Sequence, residues 1–277
     1  MKLLVCLSFS ESSELSLRYA LQFAAQIEAE LTVLHVYSNR TDKLDYLPEK
    51  LRDALIREGE FSAQRHFLQF LKHLRAQVNQ VVSVHPLLRM GKPEEMIAKV
   101  GREIGADMIV LGMSEKSRTS MRWKGGILAS LYQETSAPVL IIPEAAEFHQ
   151  VDHLVYATRF DETATRIPEV ITTIARESGA HISCVNVTTP RERNKPFREP
   201  ILERMYRMDL DPSYQVCFYS LFHKGPAQGL KAFTELYPTH MFGLLYLRKK
   251  GLGRLFQRSL ARKMLFDLPI PVLVVPQ

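Results

Sequence analysis

The sequence predicts an α/β chain in which one strand-and-helix unit is laid down twice, each copy a parallel sheet covered by helices on both faces. Three observations predict it. Residues 3–38 run without a gap against 154–189, so that Phe9 meets Phe160, Glu11 meets Glu162, Ala24 meets Ala175 and Val36 meets Val187. APVLIIP at 137–143 is answered by IPVLVVP at 270–276, the interval between matching residues having fallen from 151 to 133. Within each copy, short apolar runs alternate with amphipathic stretches. Copies of about 130–145 residues are long enough to hold their own cores, and the boundaries expected are 1–145 and 151–277.

The elements follow in order. LLVCLSF (3–9) shows almost no polar alternation, as a central strand covered on both faces should. Ser10-Glu11-Ser12-Ser13 offers an N-cap and early acids, ahead of apolar positions at Leu15, Tyr19, Phe23 and Ile27. ELTVLHVY (30–37) is the second strand. A long helix is expected over 47–78, with Leu51, Leu55, Phe67, Leu71, Leu74 and Val78 as its buried stripe. VVSVHPLL (81–88) is the third strand, Pro93 opens a helix to Ile104, and DMIVLG (107–112) is the fourth. A loop over 113–124, a short helix over 125–135 and PVLIIP complete the copy. The second copy repeats this order: LVYATRF, a helix over 162–178, HISCVNV, a helical stretch around 197–208, QVCFYSLF, a helix from Pro226, MFGLLYL, a helix over 254–266 and PVLVVP. The connection Glu144–Asp152 is short and polar, so the copies should pack together. PVLIIP and PVLVVP are the most apolar short segments, and pairing them would cover two otherwise exposed sheet edges.

Composition narrows the function classes. At 277 residues, 46% apolar and 24% charged, the chain is an ordinary globular one. No run approaches the roughly 20 apolar residues that span a bilayer, and the N-terminus reads as a strand, so the cytoplasm is expected and membrane insertion is not. The formal net charge of +6 is local: residues 248–263 (RKKGLGRLFQRSLARK) are rich in Lys and Arg and hold no acid. Cys6, Cys184 and Cys217 show no metal spacing, and the first two lie in apolar strand patterns as buried, inert thiols. The nine histidines contain no H-E-x-x-H, so no metal site is expected; His35 and His85 read as packed or edge residues. No G-x-S-x-G or P-loop occurs. Met90, Met96, Met108 and Met113 read as core or near-core filling, and Trp123 as a clamp on its own loop.

In open α/β sheets, ligands sit beyond the carboxyl ends of the strands where strand order reverses. In copy one the positions facing that crevice are Ser8 after strand one, Gly91 before the third helix, and the loop from Gly112 to Gly126 after strand four. In copy two they are Arg159, Gly225 and the loop after MFGLLYL. Lys250, Arg254, Arg258 and Arg262 recur every four residues, which places them from Arg254 onward along one helical face.

The opening strand followed by F-S-E, the G-x-P turn at Gly91, ADMIVLG (Ala106–Gly112) and the closing PVLIIP and PVLVVP make the chain resemble a tandem member of the universal stress protein superfamily over nearly its whole length. The resemblance implies a five-stranded parallel sheet in order 3-2-1-4-5 in each copy, and an internal pseudo-dimer meeting through the fifth strands. Nucleotide-binding members of that superfamily carry an Asp at the end of strand one for the adenine, and G-x2-G-x9-G-(S/T) after strand four for the ribose and phosphates of ATP. Here Ser8 takes the Asp position. Gly112 and Gly125 remain, Glu115 replaces the middle glycine and Gly126 the hydroxyl residue, with Lys116 and Arg118 close enough in sequence to offset Glu115. In copy two Arg159 takes the Asp position, Leu245 and Arg248 the first two glycines, Arg258 the third and Ser259 the hydroxyl.

Two functions remain open from sequence. One is a stress-response regulatory or sensing protein, not a catalyst, that binds ATP, a related nucleotide or another phosphorylated small molecule through Ser8, Gly91, Gly112, Lys116, Arg118, Gly125 and Gly126. Its second copy would hold an anion through Arg159, Gly225, Arg248, Lys250, Arg254, Arg258 and Ser259. The other is an interaction protein that binds no nucleotide and acts on a protein partner through its surface. Nucleic acid is not expected, because no aromatic platform accompanies the basic stripe. Association into a further homodimer is compatible with either.

Overall fold

A computed structural model of the chain describes residues 1–37, 49–77, 82–114, 131, 134–158, 166–190, 213–246, 263–265 and 267–276. Its first half holds strands β1 (Lys2–Leu7), β2 (Glu30–Tyr37), β3 (Val84–Met90), β4 (Met108–Met113) and β5 (Val139–Pro143), with helices α1 (Glu11–Gln26), α2 (Glu49–Gln77) and α3 (Pro93–Glu103). The second half holds β6 (His153–Ala157), β7 (His181–Thr188), β8 (Val216–Phe222), β9 (Met241–Tyr246) and β10 (Val272–Pro276), with α4 (Glu169–Ser178) and α5 (Pro226–Leu236).

All ten strands form one sheet in the order β3-β2-β1-β4-β5-β10-β9-β6-β7-β8. Each half is parallel and runs 3-2-1-4-5, as the resemblance implies. The halves join where β5 and β10 pair antiparallel, with Val272 opposite Ile141, Leu273 opposite Leu140 and Val274 opposite Val139. Leu140 and Leu273 are themselves equivalents, so a pseudo-twofold axis passes between them. Such an interface is isologous, each half presenting the same patch to the other. The remaining registers obey the same operation: Leu3 lies opposite Leu31 and Met108, and Leu154 opposite Ile182 and Met241. Joining the fifth strands removes two apolar edges, and Val139–Ile142 and Val272–Val274 are at most 1% exposed.

The sheet carries a hydrophobic layer on each face. One layer packs Leu3, Val5, Leu140, Leu154 and Leu273 with residues of α1, α2 and α4. The other packs Leu4, Ile109, Val139, Val155, Phe242 and Val272 with residues of α3 and α5, and with Leu131, Met264 and Leu265. Alternate residues of the central strands therefore meet opposite layers, which explains their continuous apolar character.

Local signals account for most boundaries. Ser10 caps α1: its hydroxyl accepts from the Ser13 N–H at 3.3 Å, while the Ser13 hydroxyl accepts from the Ser10 N–H at 3.1 Å. Pro93 and Pro226 open α3 and α5 at the first helical turn, where a missing N–H costs nothing. Leu15 is only half-buried; the buried face of α1 centres on Leu17, Ala20 and Ala24 together with Tyr19 and Phe23. In α2, Phe67, Leu71 and Leu74 are buried but Leu51 is 48% exposed. A helix of that length extends about 44 Å, nearly twice a seven-residue strand, so its first turns run past the sheet. Met90 is likewise 51% exposed at the end of the edge strand β3, while Met108 and Met113 are in the core. Val78, the helical stretch at 197–208 and most of the helices expected at 125–135 and 254–266 lie outside the described residues, and of Leu55 only the helical backbone is described.

The helix expected over 162–178 is not helical at Arg166, Ile167 and Pro168, and α4 starts at Glu169. Proline disfavours helical backbone in the residue before it, so Ile167 cannot continue a helix into Pro168.

Past the ends of α1 and α4 the two copies reach the same turn with different residues. Glu28 holds a φ of +48°, and its counterpart Gly179 holds +74°. Only glycine adopts that region without a steric cost. Glu28→Gly is therefore expected to stabilise the chain by about 0.5–1 kcal/mol despite the extra entropy of its unfolded state, which urea denaturation would resolve.

Candidate functional site: two crevices at opposite edges of one sheet

Because β5 and β10 are antiparallel, the carboxyl ends of the two halves point to opposite edges of the sheet. Strand order reverses between β1 and β4 in the first half and between β6 and β9 in the second, so each half has one crevice.

In the first crevice, Ser8 follows β1 directly and is exposed. Its N–H donates to the Ser13 hydroxyl at 3.2 Å, and its own hydroxyl lies 3.0 Å from that of Ser10. Ser10 continues the chain to Ser12 at 3.3 Å. A row of hydroxyls thus lines the start of α1, where two acids, Glu11 and Glu14, also sit in the first turn. Across the reversal, Gly112 in β4 lies directly under that turn. A β-carbon there would run into the Ser12 carbonyl oxygen, would come within 2.7 Å of its carbon and would reach 2.9 Å from the Ser16 hydroxyl. Gly112 is thus required by close helix–strand approach before any ligand is considered. Gly91 is fixed by the chain itself: its φ is +148°, its N–H donates to the Tyr37 carbonyl at 3.0 Å, and a β-carbon would press on Met96 at 2.9 Å. Ser8, Gly91 and Gly112 are therefore brought to one edge. Lys116, Arg118, Gly125 and Gly126 lie outside the described residues, as does Trp123.

The β1–β2 side of this edge is closed by residues that sequence reasoning passed over. Phe9 sits at a φ of +56° and stacks on His66 at 4.6 Å, with His35 at 4.5 Å and Phe70 edge-on at 5.3 Å. The His35 Nδ1 lies 2.8 Å from the Leu7 carbonyl, which can only accept, so this nitrogen carries the proton. His66 and Phe70 are one helical turn apart on α2, a spacing visible in the sequence, and Phe9 has its repeat partner in Phe160. Burial pushes the Cys6 thiol well above its ordinary range and the Cys184 thiol up to about 12, so both stay protonated. Tyr37 is raised by burial and by the Glu60 carboxylate.

The second crevice differs where it matters most. Leu245 occupies the position of Gly112 and packs into the layer beneath α4. On the other side of the sheet, Gly225 caps α5 at a φ of −149°, a conformation open to any residue, and the His223 Nδ1 lies 3.1 Å from its carbonyl. Arg159, Arg248, Lys250, Arg254, Arg258 and Ser259 lie outside the described residues. Among the described residues, no group of histidine, cysteine and acidic side chains could hold a metal ion. None of the described helices is long and apolar enough to cross a membrane.

Comparison with known proteins agrees with this fold. Residues 1–143 match the universal stress protein family. A universal stress protein of Methanocaldococcus jannaschii is 21% identical over 159 residues, spanning 51% of this chain and 93% of its own length. The crystal structure of a universal stress protein from Archaeoglobus fulgidus superposes with a TM-score of 0.68 at 16% identity, covering 99% of this chain and 98% of that one. A functionally unknown protein from Pseudomonas aeruginosa gives 0.56 at 13% identity over 99% and 92%. At those identities the two structural likenesses speak for the fold alone.

Proposed function

Because this chain belongs to the universal stress protein family, we propose that it is a stress-response regulatory or sensing protein of the cytoplasm. Its N-terminal domain, residues 1–145, takes a nucleotide or another phosphorylated small molecule at the first crevice. The observation that carries this reading is the contrast between Gly112 and Leu245. One crevice keeps bare backbone at the strand-order reversal, and the other fills that position with a packed side chain. That bare backbone lets the N-terminus of α1 settle at the reversal, and a helix N-terminus favours phosphate oxygens. Ser8 would meet the base, Gly91 and Gly112 would border the sugar and phosphates, and Gly125 and Gly126 would close on them. Lys116 and Arg118 would offset Glu115. In the second domain, residues 151–277, Arg159, Gly225, Arg248, Lys250, Arg254, Arg258 and Ser259 would hold an anion without an adenine pocket.

A second reading, in which the chain binds no nucleotide and acts through its surface on a protein partner, draws support from the hydroxyl of Ser8. That group already lies within hydrogen-bond distance of Ser10. Calorimetry with ATP, ADP and AMP separates the two. The first reading expects saturable binding of one equivalent, and Ser8→Asp should tighten adenine nucleotides about tenfold, because a carboxylate forms the stronger, charge-assisted hydrogen bond. No heat with any of the three, or an affinity that Ser8→Asp leaves unchanged, would favour the surface reading.

A further inference from the structure

A recess of about 510 Å3 opens between the two halves, away from the first crevice. It is lined by Met1, Asp107, Glu169, Val170, Thr173 and Val275, among others. The pseudo-twofold axis relates it to a second place in the molecule, where Glu169, Val170 and Thr173 become Arg18, Tyr19 and Gln22, Asp107 becomes His240 and Val275 becomes Ile142. That second place is not empty. The connection between the halves lies across it: Phe148 meets the Tyr19 ring edge-on at 5.1 Å, and Ala146, Phe148 and Val151 pack into the same hydrophobic layer. Gln26 holds the backbone of Val151 at both ends, donating to its carbonyl at 3.3 Å and accepting from its N–H at 2.8 Å. The Asp152 N–H then donates to the His240 Nδ1 at 3.1 Å. An extended segment anchored by one aromatic ring is thus the occupant this shape takes. Among the described residues lining the related recess none is aromatic, and a recess of that volume is left there.

The two recesses differ in charge. The filled one has Arg18 where the open one has Glu169, and where the open one has Asp107 it has His240, whose burial lowers its pKa and whose Nδ1 accepts from the Asp152 N–H; the segment across it carries Glu144, Glu147 and Asp152. The open one presents Glu169 and Asp107, both exposed, and Asp107 is engaged by the backbone N–H of Lys2 at 2.7 Å. We propose that the open recess is a docking site for an extended peptide of a partner protein that carries an aromatic anchor flanked by basic residues. The aromatic ring takes on Val170 and Val275 the position that Phe148 takes on Tyr19, and the basic residues face Glu169 and Asp107. The site is independent of the crevices, so its fate does not follow that of the nucleotide reading.

The test uses the full chain and a labelled synthetic peptide with the sequence of residues 144–152 in which Glu144→Lys, Glu147→Lys and Asp152→Lys have been made. Fluorescence anisotropy should show saturable one-to-one binding. The same peptide with Phe148→Ala should bind at least about tenfold more weakly, as loss of a buried aromatic anchor does. Glu169→Lys in the protein, at an exposed position that leaves folding intact, should weaken the charge-reversed peptide about threefold or more and favour the unreversed sequence instead. Thr173→Trp, which fills the recess, should abolish binding. No binding at millimolar peptide, or binding indifferent to the ring and to Glu169, would overturn the proposal.

Discussion

Gly112→Leu, which installs the residue of the second half in the first, is expected to destabilise the chain by about 3 kcal/mol. The expectation rests on what a β-carbon would meet. Its neighbours are the Ser12 carbonyl and the Ser16 hydroxyl in the first turns of α1, and a backbone carbonyl cannot swing aside as the end of a long side chain can. Relief would require α1 to lift from β4 or to lose its first turn, and with it the Ser10 cap, which contributes about 1 kcal/mol of its own. Urea denaturation of the two proteins measures the difference. Gly112→Ala should already show much of it, since the clash begins at the β-carbon. A change under about 0.5 kcal/mol, the range of ordinary surface substitutions, would mean that α1 is free to move.

Leu140→Asp is expected to have the other large effect. Leu140 and Leu273 face each other across the pseudo-twofold axis, both fully buried, in a layer shared by α1 and α4. A carboxylate there enters a layer of apolar side chains. It must ionise in an apolar layer or stay protonated with its hydrogen bonds unmade, and either route costs several kcal/mol. We expect a loss of about 4 kcal/mol or outright separation of the halves, against less than about 0.5 kcal/mol for Leu51→Asp on the exposed end of α2. Denaturation followed by circular dichroism distinguishes the two variants, and a marginal effect at Leu140 would contradict the shared sheet.

Which parts of this architecture were legible in the sequence depends on how local their causes are. The ungapped match of 3–38 with 154–189 fixes strands and registers because side-chain alternation admits no slip without turning a strand inside out. The capping serine and the two opening prolines act through their own backbone, so α1, α3 and α5 begin where expected. The errors come from packing at a distance. Leu51 reads as core because its spacing is helical, but spacing does not say how far a helix runs past its sheet. The repeat predicts one helix over 162–178, but residues 166–168 are not helical and α4 begins at Glu169, just past Pro168. The strand order read from the sequence is the one observed and puts Ser8 and Gly112 at its reversal, yet Phe9, His66 and Phe70 beside them were passed over, since α2 brings them to β1 across a long stretch of chain. Gly112 was noticed as a phosphate-loop glycine. Its contact with Ser12 gives it a second reason to be glycine that no local pattern records.

Native mass spectrometry of the intact chain, as purified and after addition of ATP, ADP or AMP, tests most directly whether the two halves have diverged into one nucleotide crevice and one blocked at Leu245. The account predicts a single nucleotide-sized mass increment per chain, lost in Gly112→Leu and kept in Leu245→Gly. Two equal increments per chain, or a mass that no nucleotide changes, would contradict it.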